Sequence, residues 1–173
     1  MSEAERFQPQ EILRRLVDAG VRFVLIGGLA SQAHGSTSIT RELDVCFARD
    51  RENLERLAEV IRDVLAIRRG LPADAPPMPP LDARTLCATS LLTLDTRFGP
   101  FDVLANPDPG FDYDTLLRSS EEAEVVGVRV RFAGLDDLMA MKRAAGRPKD
   151  RIELEVLGAL REEIDRRGRR GKG

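Results

Sequence analysis

Histidine, cysteine and long apolar runs are the scarce features of this chain of 173 residues. The one histidine, His34, reads as a packing or capping residue before it reads as a ligand. The two cysteines, Cys46 and Cys87, lack metal-ligand spacing, so no zinc framework is expected, and reduced thiols in a cytoplasmic protein are the default. No apolar run approaches the roughly 20 residues of a membrane span, and MSEAERFQPQ lacks the basic-then-apolar order of a signal peptide. No membrane partner is therefore expected. With 27 basic and 29 acidic residues the formal charge is −2, which gives no strong pull toward nucleic acid. Internal repeats are absent. What remains is a chain of ordinary apolar content, long enough for one domain with a real core.

That chain is organised around residues 25–50. Val21–Ile26 reads as a buried strand, broken by Gly27-Gly28, and Leu29 to His34 reads as a helix start. Glycines let the backbone approach a ligand, and a helix beginning there would aim its amides at it; phosphate is the natural guest. Ser31 could bind that phosphate or face solvent in the helix. The chain becomes extended again at Thr40. Strand side chains alternate faces, so Glu42 and Asp44 point the same way, and two adjacent carboxylates call for a cation, usually a divalent metal.

Elsewhere the periodicity predicts a helix over 8–19 and a second one capped by Asp50, with a stripe of Leu54, Leu57, Ala58, Ile61, Val64 and Leu65. The run GLPADAPPMPP, residues 70–80, reads as a surface loop. Residues 84–106 read as two strands, the hairpin arms being 90–96 and 101–105. A short helix over 113–117 and a hairpin about Gly127 follow. Helices fill the last third, one from Leu135 toward Gly146 and the next starting at Pro148. Residues 166–173, RRGRRGKG, are expected to form a basic flexible tail behind a single domain of residues 1–165, with some nonspecific attraction to RNA.

Gly27-Gly28, His34-Gly35, Thr40 and Glu42-Leu43-Asp44 resemble the signature of the nucleotidyltransferase superfamily, the polymerase-beta-like fold, in its minimal prokaryotic branch of the AbiEii/MNT type. Two positions depart from the pattern. Ser38 stands where that branch often has Arg, and Glu42 replaces the first Asp of the pair. The resemblance implies an α/β (α+β) domain: a small mixed sheet, acids on neighbouring strands, helices packed on it and C-terminal helices. It asks for a third acid on a later strand; Asp102, flanked by Phe101 and Val103, is preferred to Asp95 on the other hairpin arm. It also implies a helix lysine facing the nucleotide, Lys142, supported by Arg147, Lys149 and Asp150, although a basic helix face in solvent is the alternative.

Function follows as an expectation. Glu42, Asp44 and Asp102 would hold two Mg²⁺ (or Mn²⁺) ions roughly 3.5–4 Å apart. Gly27, Gly28, Ser31, Thr40, Arg147 and Lys149 would bind a nucleoside triphosphate, and Lys142 would offset charge at the α-phosphorus. The acceptor implied is RNA (tRNA) or protein, with a role as the toxin of a toxin–antitoxin or defence module and a cognate antitoxin as partner. A noncatalytic relative that binds nucleotide or protein is the alternative, motivated by Ser38 and Glu42. A small-molecule transferase of the aminoglycoside type is a weaker third.

Overall fold

Alternation in the sequence becomes one mixed sheet of seven strands with helices on it. The computed structural model describes residues 7–170. Helix α1, Pro9–Asp18, starts with proline at its first position, where a missing N–H costs nothing, and buries Ile12, Leu13 and Leu16 completely. Strand β1, Phe23–Ile26, is buried along its whole length because it lies inside the sheet. Helix α2, Gly27–Ala33, follows without a linker. Strand β2, Leu43–Phe47, begins three residues after the chain turns extended at Thr40. Helix α3, Arg51–Asp63, is capped by the Asp50 carboxylate, which accepts from the Asn53 N–H. Asn53 is buried and fully used: it exchanges two bonds with the Arg22 backbone and donates to the Ala48 carbonyl, tying α3 to both β1 and β2.

The next stretch holds two elements the sequence did not announce. Strand β3 is only Ile67–Arg68, and helix α4, Ala83–Ala88, is capped by Asp82 after the proline-rich loop. Neither has the length for a periodic signal. Strands β4, Leu91–Thr96, and β5, Gly99–Leu104, form the expected hairpin. Helix α5, Tyr113–Ser119, leads to β6, Glu121–Val125, and β7, Val128–Phe132, joined at Val126-Gly127 with positive φ at both residues. Helix α6, Leu135–Ala145, ends on Gly146 in the left-handed conformation, and α7, Pro148–Arg170, opens on a proline.

The expected tail falls only partly within the described residues. Residues 166–170 continue α7 as helix, and the rest of RRGRRGKG lies outside the described residues. Ion pairs of Glu163 with Arg166 at 3.6 Å and Arg167 at 2.9 Å support that last stretch, offsetting a glycine at 168.

Strand order is β3-β4-β5-β2-β1-β7-β6. Strand β2 pairs antiparallel with β1 and parallel with β5. That junction sets the site. In its register Ile26 lies opposite Asp44, and Asp44 opposite Asp102.

Candidate active site

Paired residues on adjacent strands share a sheet face, so Asp44 and Asp102 project to the same side, with Glu42 two residues before Asp44 joining them. All three line a cleft of about 760 Å³. Asp95 does not line it; it lies opposite Ile67 at the β3 edge. The opposite wall is formed by Lys142, Arg147 and Lys149 from the α6–α7 corner.

Close approach explains the glycine pair. Gly27 has φ +68°, and a Cβ there would stand 2.3 Å from Asp44 Oδ2. A Cβ on Gly28 would stand 2.5 Å from the Thr40 Cβ. Both glycines are thus needed to seat Asp44 and Thr40 against α2 as well as to line the cleft. Thr40 in turn donates to the Glu42 carbonyl at 3.2 Å, fixing the turn that presents Glu42. Ser31 is a correction. It is fully buried inside α2, its hydroxyl donates to the Gly27 carbonyl at 3.2 Å, and it does not line the cleft. Solvent does not reach it. His34 is the packing residue expected: its Nε2 lies 2.8 Å from the Ala133 carbonyl oxygen, and its ring meets Phe132 edge-on.

Burial, then the charges of Glu42 and Asp102, push the Asp44 carboxyl up to about 7. Burial also lifts Asp102, with Arg69 pulling the other way. Arg69 is the main residue that sequence reasoning missed. Its guanidinium reaches Asp102 at 2.5 Å, Asp95 at 3.2 Å and Glu42 at 3.4 Å. On the far wall Asp150 is 0% exposed and organises the cations: Lys142 Nζ lies 3.4 Å from it, and the Arg147 Nε 2.6 Å. Asp150 also accepts from the Arg147 backbone N–H at the start of α7, and these bonds hold its carboxyl below the usual range. Two further cleft acids went unread. Asp108 is lifted by burial, and Glu153 has a buried Oε1 with no hydrogen-bond partner.

The donor set suits a hard divalent cation: three carboxylates, one of them raised toward neutrality by burial and then by its neighbours, and relieved by any cation. As the side chains stand, no group of three acidic, histidine or cysteine residues among those described converges tightly enough to hold one. Two of the three carboxylates are engaged by Arg69 instead.

Comparison with solved structures fits this geometry. The lincosamide antibiotic adenylyltransferase LnuA, bound to lincomycin, superposes with a TM-score of 0.58 at 15% identity, over 90% of this chain and 99% of that one. This is the nucleotidyltransferase fold. The antibiotic-resistance factor ANT(2'')-Ia shares it with a TM-score of 0.53 at 14% identity, over 95% of this chain and 92% of that one. No family model and no curated protein sequence matches the chain. The fold expected from Gly27-Gly28 and the acid pair is therefore the fold observed, and no described helix is long and apolar enough to cross a membrane.

Proposed function

We propose that the chain is a nucleotidyltransferase that moves a nucleoside monophosphate from a nucleoside triphosphate to an acceptor hydroxyl. The new bond joins the acceptor oxygen to the α-phosphorus, the α–β phosphoanhydride breaks, pyrophosphate leaves and the hydroxyl proton is lost. The observation that carries the reading is the two-walled cleft: carboxylates in strand register on one side, three cations from the α6–α7 corner on the other.

Each wall has its own task. Lys142, Arg147 and Lys149 would receive the triphosphate, with Lys142 nearest the charge that develops at the α-phosphorus. Asp150 ties Lys142 and Arg147 together at the cleft, Lys142 mostly buried and Arg147 still half in solvent. Gly27, Gly28 and Thr40 shape the floor next to Asp44. Glu42, Asp44 and Asp102 are the residues that would hold Mg²⁺ or Mn²⁺. When bound, such an ion lowers the pKa of an acceptor hydroxyl and neutralises phosphate charge. A carboxyl that gives up its proton near neutrality, as Asp44 does, exchanges that proton readily for a cation.

Two acceptor classes follow from what supports the reading. Sequence resemblance favours RNA, tRNA in particular, or protein, and with it a toxin restrained by an antitoxin. The structural neighbours favour a hydroxyl-bearing small molecule, since one is a lincosamide adenylyltransferase and the other an antibiotic-resistance factor. One experiment sorts them. The protein is incubated with Mg²⁺ or Mn²⁺ and each nucleoside triphosphate radiolabelled at the α-phosphate, in turn with total tRNA, cell-extract protein, lincomycin or an aminoglycoside. The Asp44→Ala variant runs alongside. Label that reaches one acceptor only with Asp44 intact is the expected result and names the class.

A noncatalytic nucleotide- or protein-binding role is the second reading. Arg69 inside the acid wall and Glu42 in place of aspartate favour it. Triphosphate binding that ignores both Mg²⁺ and Asp44→Ala would select it over the first.

A further inference from the structure

Arg69 lies just past β3, where its backbone N–H donates to the Thr93 carbonyl at 2.9 Å, so strand β4 fixes where its side chain starts. The guanidinium reaches the acid wall from there. One terminal nitrogen, Nη2, donates to Asp102 Oδ1 at 2.5 Å and to the Leu94 carbonyl at 3.0 Å. The other, Nη1, donates to Glu42 Oε2 at 3.4 Å. Nε lies 3.2 Å from Asp95 Oδ1 but makes no hydrogen bond, although it is buried. The side chain thus stands between two seats. The inner one, Asp102 with Glu42, is fully engaged; Asp102 is 12% exposed. The outer one, Asp95 with the Leu94 carbonyl, is half used, and Asp95 is 49% exposed. Asp44 shares in neither.

We propose that Arg69 is a resident counter-ion of the carboxylate wall, that it competes with a divalent cation for Asp102 and Glu42, and that Asp95 is the seat it takes when the cation binds. The proposal rests on the cation-binding reading above. A divalent cation needs the same carboxylate oxygens that the guanidinium occupies, and two cations at such close range repel. Loading is therefore an exchange. The carboxylates stay neutralised in both states, which for the mostly buried Asp102 removes the cost of leaving it bare. Arg69 is a positioning residue whose release sets the affinity of the site, and Asp95 helps to release it.

The test measures Mn²⁺ binding directly, by the paramagnetic resonance of free Mn²⁺, together with thermal unfolding with and without Mn²⁺. It compares wild type, Arg69→Gln and Asp95→Asn. Arg69→Gln should bind Mn²⁺ about tenfold more tightly, since the charge-assisted hydrogen bonds to Asp102 and Glu42 no longer have to be broken. Its metal-free form should melt lower than wild type, and Mn²⁺ should raise its Tm by more. Asp95→Asn should move affinity the other way, by about threefold, because the outer seat has lost its charge. Unchanged or weaker Mn²⁺ binding in Arg69→Gln overturns the proposal, and unchanged binding in Asp95→Asn overturns the role of Asp95. Should Arg69→Gln fail to fold, Asp95→Asn, at a half-exposed residue outside the cleft, carries the test, and unchanged binding there then overturns the proposal. If wild type binds Mn²⁺ and neither variant changes it, the counter-ion proposal fails by itself. If neither wild type nor Arg69→Gln binds Mn²⁺, the cation reading fails and takes the proposal with it.

Discussion

The two walls of the cleft handle charge in opposite ways. On the α6–α7 side, one aspartate with no exposed surface satisfies two of the three cations, and its carboxyl is held low because every bond it makes favours the charged form. On the β2–β5 side three carboxylates crowd one sheet face, Arg69 serves two of them, and Asp44 is left with its carboxyl pushed up to about 7. One wall is balanced by its own residues; on the other, Asp44 keeps a raised carboxyl. Under the proposed function, such a cleft would take anion and cation together, as a metal-bound triphosphate supplies them.

Asp44 should break the comparison most sharply, because its removal pulls activity and stability apart. Asp44→Asn should lower nucleotidyl transfer by about 100-fold or more, as loss of an electrostatic group at the reacting centre does. It should also stabilise the metal-free protein. The folded-state pKa of Asp44 lies above its unfolded value, so its folded form holds a proton that the unfolded chain gives up. Stability from that proton is fully present below about pH 4 and is lost as pH rises to about 7. At about pH 8 the variant should be more stable by up to roughly 4 kcal/mol, and its decline across that window should be shallower than that of wild type, since Asp102 and Asp108 stay raised in both. Urea unfolding without metal, at several pH values, measures both. A variant less stable than wild type at high pH would mean that Asp44 is already neutralised within the fold.

Asp150 is the converse. Asp150→Ala leaves Lys142 and Arg147 facing each other without their shared partner and removes a buried acceptor from the first turn of α7. It should cost about 3 kcal/mol, discounted from the full buried-pair value because Arg147 keeps 57% of its side chain in solvent. The loss should not depend on pH between about 6 and 8, since the carboxyl is charged throughout that range in wild type. A loss that grew with pH there would mean the balanced wall is not balanced.

Gly28→Ala tests the floor between the walls. The added methyl would meet Thr40 Cβ at 2.5 Å, a contact with a side chain held by its bond to the Glu42 carbonyl. Overpacking of this kind costs about 1–3 kcal/mol. It should displace Glu42 and weaken Mn²⁺ binding, while Gly158→Ala, where the new methyl meets nothing, should do neither.

What could be read from the sequence follows the range of each interaction. The Gly27-Gly28 break, the Glu42/Asp44 pair and the β4–β5 arms are local patterns; in the structure the glycines open α2 directly, Glu42 stands just before β2 and lines the cleft with Asp44, and the arms pair. Both acids have apolar flanks, so the choice of Asp102 over Asp95 rested on its place on the second hairpin arm, and the parallel register of β2 with β5 puts it opposite Asp44. Arg69 was not legible. Its partners lie 27 and 33 residues away, and Arg68-Arg69-Gly70 looks like any solvated end of a helix. Strand β3 exists only because β4 gives it an edge to pair with. Ser31 was misjudged because a seven-residue helix gives too few turns to tell its buried side from its cleft side. The helical continuation past residue 165 was hidden by Gly168, which outweighs its neighbours in a local reading but not against the ion pairs of Glu163.

Lys149 offers the smallest effect and the finest test of the balanced wall. It lines the cleft and is exposed, and among the described residues it makes no ion pair, unlike Lys142 and Arg147 beside it. Its charge nonetheless reaches Asp44, where it pulls against the rise of that carboxyl. An exposed cation of this kind contributes about 0.2–1 kcal/mol to an ionic contact, and salt screens it. Lys149→Ala should therefore raise the KM for the nucleoside triphosphate by about threefold at low salt and leave kcat alone. Wild type and variant should converge as ionic strength rises, because screening removes from wild type what the substitution removes from the variant. Lys142→Ala should instead lower kcat and keep its deficit in high salt, being mostly buried and anchored by Asp150. If Lys149→Ala also lowered kcat in a salt-independent way, the three cations would act on the α-phosphorus as one group, and the division of the wall into an anchored pair and a free third would be wrong.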